Sequence, residues 1–209
     1  MFSLQTIFGK GDKFFSLLEQ SAEAALQSTK ALHTLVTAQA KGGSLDEFKL
    51  ARQRERNVSQ AISRELVETF VTALEREDIE ALGNALYRIP KVVEKFADRY
   101  ALALDKVGSI DFGPRAKMLE EAASVVLEMV RLLRQGMKLE PMRALSEKLR
   151  AIEVEADRLM LETYREVYAG KYDPLQVFVV KDFFEILEKA IDRCREAGVV
   201  AYQIVLKNS

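Results

Sequence analysis

Carboxylates four residues apart on a helix share one face, and two such pairs on facing helices can surround a hard cation with oxygen. Six acidic pairs have that spacing: Glu19/Glu23, Glu94/Asp98, Glu153/Asp157, Glu162/Glu166, Glu188/Asp192 and Asp192/Glu196. The spacing alone says little. The chain carries 32 Asp and Glu in 209 residues. Chance places about five such pairs at that acidity, and a like-charge pair usually decorates a solvated face.

Position says more. Glu153 and Asp157 line up with Leu149, Met160 and Tyr164, while Glu188 lies between Phe184 and Ile191, beside Leu187. These carboxylates flank apolar stripes, and a half-buried carboxylate needs a positive partner. Two kinds of partner fit. Salt bridges to Arg158, Lys189, Arg193 or Arg195 are the plainer arrangement. The other is a metal ion; an all-oxygen site suits magnesium, calcium, manganese or iron, and zinc is not distinguished from them.

Other chemistries find few residues. His33 is the only histidine and Cys194 the only cysteine. A Cys/His zinc site cannot be assembled, and Ser-His-Asp catalysis would have to use His33. His33 reads as a boundary residue and Cys194 as a small core residue. A ferritin-like di-iron site needs Glu-x-x-His on two helices, and the motif is absent. There is no Gly-rich phosphate loop and no nucleophile–base constellation, so no enzymatic activity is expected.

Net charge is -1, from 31 basic and 32 acidic residues, which disfavours a charge-driven nucleic-acid binder. A single cysteine allows no intrachain disulfide and suits a reducing compartment. Met1 to Leu4 do not open a signal peptide. The longest charge-free apolar run near the end, Ala197 to Leu206, spans roughly half of the about twenty residues a membrane helix needs. The chain reads as soluble and cytoplasmic.

Ten Gly and four Pro are too few for a turn-rich sheet protein. Apolar residues instead recur at helical spacing. Phe15, Leu18, Ala22, Ala25, Thr29, Leu32 and Val36 form a stripe on a first helix over about 10–40. Lys41-Gly42-Gly43 breaks it. Ser44 and Glu47 form a capping box for a second helix, which runs through Ile62, Leu66 and Phe70. A third helix begins near Glu75 to Asp78 and carries Ile79, Leu82, Leu86, Val93 and Phe96, with Pro90 expected to kink it. The strongest break is Val107 to Pro114, where Pro114 opens a fourth helix with Met118, Ala122, Val125, Met129 and Leu132. Gln135-Gly136 and Glu140-Pro141 separate it from a fifth, which ends at Gly170. Asp173-Pro174 opens a sixth, ending near Lys207. Short connections make neighbours antiparallel. The expectation is an all-α fold of six long antiparallel helices, arranged as two sets of three.

Three segments resemble PhoU-like proteins, in the branch accessory to low-affinity phosphate permeases. Phe70 to Leu82, containing Arg76-Glu77-Asp78-Ile79, is similar to that branch's F-x-T-P-x-D-R-E-D-I-x-x-L segment. Ile152-Glu153-Val154-Glu155-Ala156-Asp157 is similar to its x-E-x-E-A-D segment. Asp173-Pro174, followed by Leu187-Glu188 and Asp192-Arg193-Cys194, is similar to its D-P … L-E-x-x-x-D-x-C run. The resemblance implies one PhoU-like bundle of two three-helix repeats, about 1–107 and 112–209. It implies a non-enzymatic regulator of phosphate transport that binds a membrane phosphate transporter or a signalling partner. It also implies a metal-ion site on Glu153, Asp157, Glu188 and Asp192. In the first repeat the matching positions hold Glu55, Ser59, Tyr87 and Lys91, so no metal cluster is expected there and Glu55→Gln should change little. The alternative is a purely structural helical interaction module with no metal. The sequence leaves oligomeric state open, a homo-oligomer included.

Overall fold

The computed structural model describes residues 4–37, 45–107, 110–170 and 172–209. It contains six helices: α1 (Leu4–Thr37), α2 (Asp46–Glu68), α3 (Arg76–Val107), α4 (Gly113–Arg134), α5 (Leu139–Tyr168) and α6 (Pro174–Asn208). No strand occurs among the described residues. The all-α, six-helix expectation holds.

Each stripe read from the sequence turns inward. On α3, Ile79, Leu82, Leu86, Val93 and Phe96 are all fully buried. Full burial of one such side chain is worth about 1.5–3 kcal/mol, so this face anchors α3 strongly. Contacts join α1, α2 and α3 to one another, and likewise α4, α5 and α6; α1 against α4 and α3 against α6 then join the two sets. Helix ends show that both joints are antiparallel. Lys207, at the end of α6, donates to Asp78 (2.7 Å) and Glu75 (3.2 Å) at the start of α3. Arg134, at the end of α4, pairs with Asp12 (3.0 Å) and Glu19 (3.0 Å) near the start of α1.

An aromatic cluster fastens the α3–α6 joint where the chain turns into α4. Phe96 meets Phe112 and Phe183 edge to face, at ring separations of 5.6 and 5.0 Å. Such pairs add about 0.5–1.5 kcal/mol each to the area they bury. Phe183 is therefore core. Phe184 is half-buried beneath the Arg115 guanidinium, 5.2 Å from its ring centre.

Local signals fall mostly where expected. Asp173 caps α6, accepting from the Leu175 and Gln176 backbone N–H groups, and Gln176 returns the bond to complete a capping box. Gly170 takes φ +76° just past α5, a conformation that favours glycine. Pro114 lies in the first turn of α4. Two readings need correction. The first helix already begins at Leu4. Phe70 does not lie on the second helix: α2 stops at Glu68, and Phe70 is fully exposed in the loop beyond it. Pro90 lies buried within α3, which is helical on both sides of it. The Lys41-Gly42-Gly43 break, the Ser44 half of the capping box, and Gly108 and Ser109 of the central break lie outside the described residues.

Candidate metal centre

Helices α5 and α6 run side by side, joined by the short turn around Gly170, so the acidic pairs on each meet across the interface. The structure brings three of the four expected carboxylates together. Asp157, Glu188 and Asp192 each offer an oxygen within 4.8 Å of the others. Asp157 is exposed; Glu188 and Asp192 are half-buried. None of the three makes an ion pair among the described residues. Burial, the first cause, pushes the Glu188 carboxyl above its ordinary range, and Asp192 and Asp157 add to the shift. Burial also raises Asp192, with Asp157 and then Glu153 adding repulsion. Close, unpaired carboxylates held partly out of water are the setting in which a cation relieves most strain.

Glu153 takes the other partner that the sequence allowed. Its Oε2 accepts from Arg195 Nε at 3.1 Å, which draws it away from the cluster. Arg158 is turned outward, where it binds Glu155 (2.7 Å) and Glu162. Arg193 pairs with Glu196. Tyr164 donates to Glu185 Oε1 at 2.6 Å, so Glu185 is engaged beside the cluster rather than in it. The salt-bridge and metal arrangements therefore divide the site between them: one carboxylate is neutralised by arginine and three are not.

The trio suits a hard cation. Oxygens on opposite sides of a magnesium or calcium ion lie about 4–5 Å apart, given metal–oxygen distances of about 2.0–2.6 Å. Asp157, Glu188 and Asp192 fall within that reach and supply only oxygen.

The corresponding positions on α2 and α3 are built differently, around a cation of the protein's own. Arg52, almost fully buried, donates from Nε to Glu94 Oε2 (2.9 Å) and from Nη2 to the Tyr87 hydroxyl (3.1 Å). Its guanidinium also stacks over the Tyr87 ring, 4.6 Å from the ring centre. The hydrogen bond from Arg52 is the chief cause holding the Tyr87 hydroxyl below its usual range. Glu55 is fully buried, and its Oε1 accepts from Ser21 at 2.8 Å. Its Oε2 has no hydrogen-bond partner, and burial lifts the carboxyl to about 7 against Ser21 and Arg52, which lower it. Glu55 faces the core, which argues against the expectation that Glu55→Gln should change little. Lys91 is exposed. The sequence reading missed Arg52 altogether. A signal was present: Phe48, Arg52 and Glu55 follow the i, i+4, i+7 spacing of a buried face.

The two single residues behave as read. His33 Nδ1 lies 2.8 Å from Glu120 Oε2 at a half-buried boundary. Cys194 is fully buried, and burial pushes its thiol far up, which makes it unreactive.

The six-helix fold has counterparts among solved structures. A PhoU-like protein from Shewanella oneidensis MR-1 superposes with a TM-score of 0.77 at 15% identity, over 93% of this chain and 99% of that one. A second structure from the same organism, described as a candidate PhoU-like phosphate regulatory protein, gives 0.75 at 15% identity, over 93% and 99%. In sequence, the UPF0111 protein YkaA of Bacillus subtilis (strain 168) is 24% identical over 205 residues, 96% of this chain and 98% of its own length. No family model matches the chain. The fold is PhoU-like, as the sequence motifs implied. Among the described residues, no helix is long and apolar enough to cross a membrane.

Proposed function

We propose that this chain is a non-enzymatic regulator of phosphate transport that works by binding a membrane phosphate permease or its signalling partner. The reading is supported by one coincidence: a PhoU-like fold over nearly the whole chain, with three unpaired carboxylates at positions where the motifs imply metal ligands. Residues 1–107 and 112–209 are then two copies of a three-helix repeat, of which the second keeps the metal centre. Asp157, Glu188 and Asp192 would hold the ion, with Glu153 left to Arg195. A hard cation there supplies charge neutralisation and open coordination positions. The protein would act in the cytoplasm, at the inner face of the membrane.

An exposed apolar end suits such docking. Leu102 on α3 and Leu175 and Phe178 on α6 are exposed. The Arg99–Asp182 ion pair ties these two helix ends together. Grouped exposed apolar side chains commonly mark partner surfaces. Affinity capture from detergent-solubilised native membranes tests the proposal. A polytopic phosphate permease, or its regulatory kinase, should be retained by the chain and lost with Leu102→Glu/Phe178→Glu. Folded bait that retains neither, in cells whose phosphate uptake is unchanged by deletion of the gene, would refute it.

A further inference from the structure

A groove of about 670 Å³ runs between α3 and α6. Its walls are cationic: Arg88, Lys91, Lys95 and Arg99 from α3, and Lys189 and Arg193 from α6. Two acids also line it, and one of them, Glu94, is already engaged from beneath by Arg52. The other, Asp98, makes no ion pair among the described residues. The arginines of the groove are occupied: Arg88 and Arg193 both reach Glu196, and Arg99 binds Asp182. The lysines are not. Lys91, Lys95 and Lys189 make no ion pair among the described residues, and all three are exposed. Lys91 and Lys95 stand one turn apart on the same face, where like charges repel.

Helical spacing makes this a ladder rather than a point. Arg88 to Arg99 spans eleven residues, or about 16 Å of α3 at 1.5 Å per residue. The volume is about that of twenty water molecules at about 30 Å³ each. A single orthophosphate would leave most of the groove wet and most of the lysines unmet. Among the described residues no aromatic side chain lines the groove, and its arginines, which could stack on a base, are tied to Glu196 and Asp182. Val92 and Ile186 supply its apolar part.

We propose that the α3–α6 groove binds a small, base-free oligophosphate, with several linked phosphoryl groups laid along Lys91, Lys95 and Lys189. The flanking arginines are held in place by Glu196 and Asp182 and frame the site. The groove and the carboxylate trio lie on neighbouring faces of α6: Lys189 and Arg193 line the groove, and Glu188 and Asp192, each one residue earlier and about 100° around the helix, belong to the trio. Asp157, Glu188 and Asp192 are not among the groove's lining residues, so the anion site is assembled without a metal ligand.

Calorimetric titration of the full chain in metal-free buffer tests this, with tripolyphosphate as the probe. Tripolyphosphate should bind saturably at one site, more weakly as salt rises. Lys91→Gln/Lys95→Gln/Lys189→Gln should weaken it by about tenfold or more, since each removes a charge-assisted contact. Lys30→Gln/Lys49→Gln/Lys148→Gln, exposed lysines outside the groove, should leave it unchanged. Orthophosphate should bind at least about tenfold more weakly, and ATP no more tightly than tripolyphosphate. Absence of saturable binding overturns the proposal, as does equal affinity in the groove variant. Tighter binding of ATP, or of a single-stranded oligonucleotide at equal charge, also overturns it by assigning the groove another ligand. Because no metal is present, failure here leaves the metal centre untouched, and the reverse holds as well.

Discussion

Glu55→Gln separates a buried acid from a decorative one. Glu55 is fully buried, accepts one hydrogen bond from Ser21 and leaves its second oxygen unpartnered. Around it stand Arg52 on its own helix, Ser21 from α1, and, through Arg52, Tyr87 and Glu94 from α3. Burial lifts its folded-state pKa from 4.5 to about 7. Between those values the unfolded chain has released a proton that the folded chain keeps. Folding therefore loses stability as pH rises through this window, and the loss is complete above about 7. At about 1.36 kcal/mol per pH unit, the gap sets a ceiling of about 3 kcal/mol. Glutamine keeps an oxygen for Ser21 and cannot ionise. The variant should match the parent near pH 4.5 and exceed it by up to about 3 kcal/mol at pH 8. In a chain of this size that is about 6–12 °C in melting temperature. Melting curves of both proteins from pH 4.5 to 8 are the assay. Parallel pH profiles, or a Glu55→Gln protein less stable at pH 8, would refute the reasoning.

Three further outcomes follow from packing and charge. Gly198→Ala should cost about 1–3 kcal/mol in chemical denaturation, because the added methyl overlaps Leu149 Cδ2 and crowds Met129 Sδ at 3.3 Å. Pro90→Ala should be neutral or raise the melting temperature by a few degrees, since it restores a backbone donor within a continuous helix. Arg195→Gln should free Glu153 to join the trio and tighten metal binding, measured by titration with manganese; weaker binding would show that Arg195 positions the site instead.

The helices were legible because each buries one stripe, and stripes survive in sequence as three- and four-residue spacing. The Asp173 cap of α6 and the glycine after α5 were legible because those turns demand particular residue types. Phe70 misled because it continues the α2 spacing after the helix has ended; helix termini are set by local bonds that an apolar stripe does not encode. At the site, the motifs placed Asp157, Glu188 and Asp192 correctly on facing helices. Glu153 could not be resolved, because Arg195, 42 residues away in sequence, reaches it only across the α5–α6 interface. Arg52 was overlooked for the opposite reason. A charged residue on an apolar stripe looks like an interruption, when here it is the cation around which α2 and α3 pack.

The proposed metal centre is tested most directly by melting chelator-treated protein with and without added magnesium, manganese or ferric iron. An ion bound only by the folded chain, at a hundred times its dissociation constant, adds about 2.7 kcal/mol. Metal should raise the melting temperature of the parent by several degrees and that of Asp157→Asn/Asp192→Asn not at all, and the variant's metal-free fold should be at least as stable as the parent's. A parent protein indifferent to every ion, or a double variant that shifts equally, would contradict it.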